Sequence, residues 1–507
     1  MDILFIATST YNDPFAREWT PDLRHTVSFL RKRGVDAGFI YVPVLDEARA
    51  IIERFGLPGT VFVDVCEENR EQVLGFLSDL RRAAPLARIV LGGILPTLAP
   101  EEILGRYSQV DLIVSGEREG PLLECANHWR AGTPVREVAG LVSRDFRRPP
   151  APLLQDLDDL GPMIHDGLGE LLGDGNPDDR TGFLVSSRGC YAHCTFCGIP
   201  DFYRSSPGRP WRGRSPVAVV DEIQELQETF GIRQFVFQDD NFIGPIREGQ
   251  ERARAIAREI LGRGLRIRFF LCCRLNDVQA RTLALLKESG LAGIGLSVES
   301  TNDESLRLLG KGIRAAAIEP TFGLLEALRI PCEVNMIFFD PYLTLTGVRR
   351  NLALIGRLRD SALLSYSDAF PFRELKPFAW SRVARTLRRD GLIDEETARC
   401  RFRDPAVARL AAFVGRLEAR IPLTFKKCLL FDDVEPGAGP GSHDTMLRFA
   451  PALRHWIGLS VVPRYLASAC DVVDRSKGDG TAELLALEDA FAGELEWLRH
   501  EAVAAGS

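Results

Sequence analysis

Apolar and polar positions in the first 135 residues repeat as short apolar runs separated by amphipathic segments. The apolar runs are continuous, which is typical of parallel strands buried on both faces, and the segments between them have helical spacing. The predicted strands are residues 3–7, 37–42, 60–65, 88–91 and 111–115. Five strands in this rhythm predict a flavodoxin-like doubly wound domain over residues 1–135, whose ligands lie beyond the carboxyl ends of the strands.

A second series of apolar runs and helices follows a proline-containing connector at residues 136–180. Its predicted strands are residues 182–186, 234–238, 267–271, 293–298, 333–339 and 363–366. Six strands with intervening helices predict a partial parallel (β/α)6 barrel over residues 181–375, with its active site at the carboxyl ends of the strands. Residues 376–507 show a mostly helical pattern, and we expect this region to be related to the substrate.

Length, charge and cysteine content limit the class of protein. At 507 residues the chain is too long for one ordinary domain. A net charge of −7 does not favour nucleic acid as a partner, and no apolar run is long enough to predict a membrane helix. The amino-terminal residues lack the features of a signal peptide. Eleven cysteines, an odd number with one tight cluster, indicate a reducing cytosol, so we expect a cytoplasmic protein.

Three cysteines form that cluster in the loop after the first barrel strand. Cys190, Cys194 and Cys197 have C-x3-C-x2-C spacing. Three thiolates can hold three irons of a 4Fe–4S cubane and leave the fourth iron open to a substrate. The alternatives are three buried cysteines or part of a zinc site, although zinc needs a fourth ligand. His193 lies inside the loop, where we expect a loop residue and not a ligand.

This spacing, with Phe196 just before the last cysteine, resembles the signature of the radical S-adenosylmethionine (SAM) enzymes. The resemblance implies a 4Fe–4S cluster whose open iron binds SAM. It also implies SAM contacts at the ends of the next strands. Acidic and amide groups there can accept the ammonium protons or ribose hydroxyls of SAM, and an arginine offers a forked pair to its carboxylate. The implied SAM-binding residues are Phe196, Asp239, Asp240, Asn241, Arg274 and Glu299. Taken singly, an acidic strand end is more often a helix cap, and we interpret Gly310-Lys311-Gly312 first as a turn.

Loops of the amino-terminal domain extend the resemblance to the cobalamin-binding radical SAM enzymes over roughly residues 1–375. Glycine pairs at two strand ends let the backbone approach a large flat cofactor, and nearby polar groups can bond its amide arms. The implied cobalamin-binding residues are Cys66, Glu67, Glu68, Gly92, Gly93, Thr97, Ser115, Gly116 and Glu117. No D-x-H-x-x-G motif is present. We therefore expect cobalamin without a histidine ligand, its lower face toward residues 66–69. His25 and His128 are expected on helix surfaces.

The function that this resemblance implies is a radical C-methyltransferase. A 5′-deoxyadenosyl radical removes a hydrogen from an unactivated carbon, and methylcobalamin supplies the methyl group. We expect the substrate to be a natural-product intermediate or a peptide, and the resemblance implies an external electron donor of the flavodoxin or ferredoxin type. A lipid substrate is less favoured, and neither nucleic acid nor a membrane is an expected partner.

Three other functions stay open. One is rearrangement or cyclisation without methylation, and another is a cobalamin-binding sensor or carrier with an inert barrel. A methylthiotransferase also places a doubly wound domain before such a barrel, but its amino-terminal domain carries three cysteines for a second cluster, and here only Cys66 and Cys125 are present.

The carboxy-terminal region offers weaker signals. Cys400, Cys428 and Cys470 contain no close pair, so we interpret them as buried thiols and not as a second cluster. Four aromatic residues are candidates for a substrate pocket, although core packing is the default for such residues. They are Trp380, Phe402, Trp456 and Trp497.

Overall fold

The structure is a computed structural model. It describes residues 1–8, 20–42, 48–56, 58–67, 69–172, 180–366, 372–420, 460–476 and 480–504. These residues form two compact units. The first unit is Met1–Ala192, Cys197–Cys273 and Asp277–Ala292, and the second is His193–Phe196, Arg274–Asn276 and Gly293–Ser507. These units do not coincide with the four segments that the sequence predicts, and those segments stay a prediction.

The first unit begins with a six-stranded sheet. Its strands are β1 (Ile3–Ala7), β2 (Ala37–Tyr41), β3 (Thr60–Asp64), β4 (Arg88–Gly92), β5 (Leu112–Val114) and β6 (Leu141–Val142). The order is β2-β1-β3-β4-β5-β6. Strands β1 to β5 are parallel, as predicted. Every residue of β1 and nearly all of β3 is buried, which is typical of a parallel sheet covered on both faces. The flavodoxin-like order is confirmed.

Strand β6 lies within the connector, to which the sequence analysis assigned no strand. Its residues Leu141 and Val142 pair antiparallel with β5. Two residues carry too little alternation to be recognised in a sequence. The helices around this sheet are α1 (Pro21–Lys32), α2 (Ala48–Phe55), α3 (Arg70–Ala83), α4 (Ile94–Leu98), α5 (Pro100–Arg106), α6 (Glu119–Arg130) and α7 (Leu168–Leu172). A short 3-10 helix covers Leu157–Leu160.

Barrel strands complete the first unit. Strands β7 (Thr181–Leu184), β10 (Gln234–Phe237) and β11 (Arg268–Arg274) are parallel, and β10 pairs with both neighbours. Between them, β8 (Ser187–Arg188) and β9 (Arg212–Gly213) form a short antiparallel pair. The helices are α8 (Gly198–Arg204), α9 (Pro216–Phe230), α10 (Glu248–Gly262) and α11 (Ala280–Glu288). The Ser215 hydroxyl caps the start of α9 by accepting from the Ala218 backbone N–H, and Gly231 ends the helix in the left-handed conformation.

The second unit contains three more parallel strands and most of the remaining helices. The strands are β12 (Leu291–Glu299), β13 (Cys332–Met336) and β14 (Leu364–Tyr366). Strands β15 (Ile393–Asp394) and β16 (Arg399–Cys400) form a hairpin. The helices are α12 (Asp303–Leu308), α13 (Ile318–Ala327), α14 (Leu345–Arg359), α15 (Arg382–Arg389), α16 (Pro405–Arg420), α17 (Val462–Ser476) and α18 (Thr481–Ala504). Two 3-10 segments cover Leu275–Asp277 and Ala315–Ala317.

The predicted fold class is confirmed, because both βα series are present and the described carboxy-terminal residues are mostly helical. Each predicted barrel strand has an observed strand within a few residues of it. Among the described residues, no helix combines the length and the hydropathy that crossing a bilayer requires.

Candidate active site

The sulfur of Cys190 lies in a buried setting of the first unit, at the carboxyl ends of β7 and β10. It receives the Ala192 backbone N–H at 3.5 Å and the Asn241 side-chain amide at 3.9 Å. Asn241 is itself held by Asp277, to which it donates at 3.0 Å. Polar N–H groups directed at a sulfur atom favour the thiolate form, which is the form that binds metal.

Cys194 is held in the second unit by arginine side chains. The Arg274 guanidinium contacts its sulfur at 3.2 Å, and Arg382 donates to its carbonyl oxygen at 3.0 Å. The neighbouring Thr195 N–H donates to the Leu309 carbonyl at 2.9 Å. Arg274, predicted to bind the carboxylate of SAM, therefore also contacts a predicted cluster ligand.

The donor set around these sulfurs suits an iron–sulfur cluster. Hydrogen bonds to ligating sulfur are one of the means by which proteins tune such clusters. Among the described residues, no three His, Cys, Asp or Glu side chains converge as the ligands of one metal ion would. Each iron of a cubane takes one cysteine, so the three ligands of a cluster do not have to meet at a single point. The assignment of the three cysteines as cluster ligands stays a prediction.

The two aspartates at the end of β10 have different surroundings. Asp239 is buried and accepts hydrogen bonds from the Ser186 N–H, the Ser186 hydroxyl and the Ser187 hydroxyl, at 2.7, 2.5 and 2.6 Å. Asp239 therefore fixes the turn that precedes the cysteine loop. Asp240 accepts from the Gly189 N–H at 2.9 Å and presents its exposed surface to a cavity. Desolvation by the surrounding protein and, to a smaller extent, the negative charges of Asp22 and Asp239 raise the pKa of Asp240 to about 7.

Glu299 and Lys311 form a buried ion pair in the second unit. Lys311 donates to Glu299 at 2.9 Å, and both side chains are almost completely buried. The backbone of Glu299 has a φ of 69°, in the left-handed region that non-glycine residues avoid. The sequence interpretation of Lys311 as a turn residue missed this partner. The sequence carries only a weak signal for this ion pair, since a glycine-flanked lysine does not reveal which group its side chain contacts.

Phe196 packs beside the apolar cluster of Leu309, Val383 and Leu387 in the second unit. This contact holds the cysteine loop against α15. A contact between Phe196 and SAM stays a prediction.

A cavity of about 290 Å³ lies at the carboxyl edge of the first sheet. Its wall includes the ends of β1 and β3, between which the strand order reverses, so it occupies the switch point where doubly wound sheets bind ligands. The opposite wall comes from the segments after β7 and β10 and from α8. The polar lining residues are Thr8, Thr20, Asp22, Asp64, Cys66, Asn69, Arg118, Ser187, Arg188, Tyr203, Gln238 and Asp240. This volume is close to the lower end of the about 300–1,000 Å³ that is usual for ligand pockets.

The cavity includes part of the predicted cobalamin set. Cys66 and Gly93 line it, and Asn69 closes the Cys66 loop by accepting the Cys66 N–H at 2.9 Å. Glu67 faces Arg70 at 3.5 Å. Glu68 lies outside the described residues.

Other members of that set are engaged with the protein. A Cβ atom at Gly92 would lie 2.4 Å from the Phe62 ring, so this glycine permits strand packing. Thr97 accepts the Gly116 N–H at 3.0 Å, and the Ser115 N–H donates to the Gly140 carbonyl. These contacts shape the strand ends, and direct contact with cobalamin stays a prediction for them.

Glu117 belongs to a buried ion-pair network that the sequence did not reveal. Its two carboxylate oxygens accept from Arg212 at 2.9 and 3.0 Å, and one also faces Arg188 at 3.3 Å. Arg188 further bonds Asp22 at 2.7 Å and Glu119 at 2.8 Å. The partners are separated by up to 166 residues, so local sequence pattern carries no signal for them.

Arg118 extends the network to the cavity. It donates to Asp22 at 2.8 Å and to Asp64 at 2.9 Å. Burial opposes ionisation of Asp22, but Arg188 and Arg118 hold its pKa below the ordinary value. Asp22 and Asp64 on the cavity wall are therefore paired with arginines of the same wall.

The expectation of a surface position for His25 is wrong. Its side chain is fully buried, bonds the Gly161 carbonyl at 2.9 Å and faces Glu222 at 3.5 Å. Burial lowers the pKa of His25 to about 4, so the imidazole is neutral at pH 7. It serves as a packing residue and offers no ligand at the cavity.

Of the carboxy-terminal cysteines, Cys470 is buried, as expected, whereas Cys400 is only half-buried. Burial raises the pKa of both Cys400 and Cys470 to about 12, which makes them poor metal ligands and weak nucleophiles. Trp380 stacks on Phe378, and Phe402 contacts Phe339. Cys428, Trp456 and the Trp497 side chain lie outside the described residues.

Comparison with known proteins identifies the barrel. Residues 184–343 match the model of the radical SAM superfamily. An uncharacterised methyltransferase of Pyrococcus horikoshii is 29% identical over 231 residues, which are 44% of this chain and 48% of the relative. An anaerobic magnesium-protoporphyrin IX monomethyl ester cyclase of Synechocystis is 28% identical over 283 residues, 52% of this chain and 51% of the relative. The chain thus aligns with about half the length of each relative.

Solved structures extend the likeness to the whole chain. The cobalamin-dependent SAM radical enzyme OxsB, solved with aqua-cobalamin, superposes with a TM-score of 0.77 at 18% identity over 100% of this chain and 81% of its own. The radical SAM methyltransferase TsrM of Kitasatospora setae, solved with cobalamin and a [4Fe-4S] cluster, gives 0.60 at 16% identity over 93% and 100%. Residues 184–343 of this chain therefore match a radical SAM domain, and the chain shares its fold with OxsB and TsrM.

Proposed function

We propose that this chain is a cobalamin-dependent radical SAM enzyme that methylates a carbon atom of a small-molecule or peptide substrate. The observation that carries the proposal is the shared cavity. The Cys66 loop of the first sheet lines one wall, and Ser187 and Arg188, which precede the cysteine loop, line another together with Asp240, which follows β10. Two predicted cobalamin residues, Cys66 and Gly93, and one predicted SAM residue, Asp240, therefore line the same cavity.

The protein's part in this chemistry is binding and orientation. Bound together, the 4Fe–4S cluster, SAM and cobalamin would supply radical and methyl-transfer chemistry that side chains lack. Cys190, Cys194 and Cys197 would hold the cluster, with Arg274 and Asn241 bonding the sulfurs. Asp240 would accept protons from the SAM ammonium. The ion pairs of Arg118 and Arg188 would hold the side chains of the cavity wall in place.

The first test is cofactor content. The chain is purified without oxygen, reconstituted with iron and sulfide, and supplied with hydroxocobalamin, and its visible spectrum is recorded. Replacing Cys190, Cys194 and Cys197 by alanine should abolish iron binding and SAM cleavage. A Cys125→Ala variant is the control, since Cys125 is a buried cysteine outside the cysteine loop. Iron or cleavage retained by the triple variant contradicts the proposal.

The second test is the product. A mass gain of one methylene indicates methylation, whereas a changed product without that gain indicates rearrangement or cyclisation. The likeness to a cyclase keeps cyclisation as the second candidate function. Corrinoid binding without any SAM cleavage by the reduced protein would instead indicate a sensor or carrier. We further propose a cytoplasmic location, because an oxygen-labile cluster needs a reducing compartment.

A further inference from the structure

One surface of the second unit combines arginine with aromatic side chains. On α15 the arginines Arg385, Arg388 and Arg389 are exposed, while Val383 and Leu387 are buried. The spacing i, i+3, i+4 places the three arginines on one face of the helix. Beside them, Arg385 donates to the Trp380 carbonyl at 3.2 Å and Arg388 to the Ala379 carbonyl at 3.3 Å.

Phe378 and Trp380 stack on each other with centroids 5.3 Å apart. We call Phe378, Trp380, Arg385, Arg388 and Arg389 together the arginine face. Arginine and large aromatic residues are the types that most often dominate the binding energy of protein interfaces.

The arginine face is attached to the cysteine loop. The Val383 N–H, in the first turn of α15, donates to the Thr195 carbonyl at 2.9 Å. Arg382, one residue earlier, donates to the Cys194 carbonyl at 3.0 Å. Two hydrogen bonds therefore connect the helix that carries the arginines to the backbone of the cysteine loop, one of them at the predicted cluster ligand Cys194.

The charge of this region is opposite to that of the whole chain. Residues 382–403 contain seven arginines and four carboxylates, a net charge of +3, in a chain whose net charge is −7. Arg388 pairs with Glu395 and Arg389 with Asp390, but these pairs are solvent-exposed. Exposed pairs are weak and readily exchanged, so the region keeps its attraction for an acidic partner.

We propose that the arginine face docks an acidic one-electron carrier protein, which reduces the cluster through the cysteine loop. The inference rests on the proposed function, because that chemistry consumes an electron that the side chains of this chain do not generate. The carrier loses one electron, the cluster gains one, and no covalent bond forms or breaks. Electron transfer falls steeply with distance, and α15 is bonded directly to the loop.

The first test measures docking in the purified chain. An acidic flavodoxin is titrated into the chain by calorimetry at low and at moderate salt. The variant Arg385→Glu/Arg388→Glu/Arg389→Glu should weaken flavodoxin binding by about tenfold or more, because like charges then face the carrier. Added salt should weaken binding to the unaltered chain. The same triple change to glutamine removes charge without reversing it and should give a smaller loss.

The matched control reverses three arginines of the first unit. Arg82, Arg209 and Arg258 are exposed and each faces one carboxylate, as Arg388 and Arg389 do. Their combined change to glutamate alters net charge equally and should change flavodoxin affinity by less than about threefold. Thermal melting of each variant confirms that it folds. Equal losses in test and control variants, or no loss in either, overturn the proposal.

The closing experiment compares two reductants in the reconstituted enzyme. With dithionite, the arginine-face variant should cleave SAM as fast as the unaltered chain, whereas with subsaturating flavodoxin it should be slower by about tenfold. If the unaltered chain cleaves no SAM with dithionite, the proposed function fails. If the variant loses activity with both reductants while its affinity for flavodoxin is unchanged, the face binds a substrate and the docking proposal is overturned.

Discussion

Arg212 donates two hydrogen bonds to Glu117, and both side chains are buried. The same carboxylate faces Arg188. A buried charge that loses its partner costs more than the pair contributes when intact, because the remaining ion has neither water nor a counter-ion. At the scale of the residue, Glu117 therefore stabilises the fold whether or not a cofactor is bound.

We predict that Glu117→Gln destabilises the cofactor-free chain by about 3 kcal/mol, the range for breaking a buried ion pair. Guanidinium chloride unfolding measures the change. The control is Glu101→Gln, since the pair of Glu101 with Arg147 is exposed and should contribute less than about 1 kcal/mol. A Glu117→Gln chain that is fully stable but loses corrinoid would show that cofactor contact is the main role of this residue.

Asp240 gives a prediction about pH. Its pKa is raised to about 7 in the folded chain, so between its ordinary value and pH 7 the folded state binds more protons than the unfolded state. Stability of the unaltered chain therefore falls as pH rises through that window. Asparagine does not titrate, so the Asp240→Asn variant does not lose stability in this way. The free energy of unfolding of the variant minus that of the unaltered chain should therefore rise from pH 5 to pH 7 and stay constant above pH 7. Denaturant unfolding of both cofactor-free proteins at each pH measures this difference in stability. A difference that does not change between pH 5 and pH 7 contradicts the raised pKa of Asp240.

At the scale of the element, the strands were predictable and the site was partly so. Buried parallel strands are continuous apolar runs, and for this reason β1 was predicted with its observed bounds. The antiparallel strand β6 was missed because two residues show no pattern. The ion pairs of Arg188 with Asp22 and of Lys311 with Glu299 depend on the fold, so no local rule predicts them.

The cysteine loop depends on Gly189, whose left-handed backbone conformation is unfavourable for other residues. Gly189 has a φ of 82°, and a Cβ atom there would lie 1.9 Å from the Pro210 carbonyl oxygen. Its N–H donates to Asp240. The short β8–β9 pair and the cysteine loop that follows it therefore need glycine at this position.

We predict that Gly189→Ala lowers both stability and the iron bound per chain. Left-handed strain alone costs about 1–2 kcal/mol, and the clash with Pro210 adds to it. Gly34→Ala is the matched control, because Gly34 has a φ of 79° but open space around its Cβ position. The control should show the strain cost alone and keep its iron. Equal effects in the two variants would contradict a special role for the Gly189 contact.

At the scale of the whole molecule, the cavity brings together strand ends from two βα series. Its walls belong to the first sheet and to the segments that deliver the cysteine loop, and all lie in the first unit. Filling this space should therefore disturb the corrinoid without touching a cluster ligand.

We predict that Cys66→Trp prevents corrinoid binding, because the indole would occupy much of a cavity of about 290 Å³. Cluster absorbance and iron content should stay unchanged, since Cys66 is not one of the three loop cysteines. Cys66→Ser, nearly equal in size, is the control and should retain corrinoid. Spectra of the desalted protein after incubation with hydroxocobalamin measure both cofactors. Corrinoid retained at full stoichiometry by the tryptophan variant would place the cofactor elsewhere, whereas loss in the serine variant as well would assign a chemical role to the sulfur.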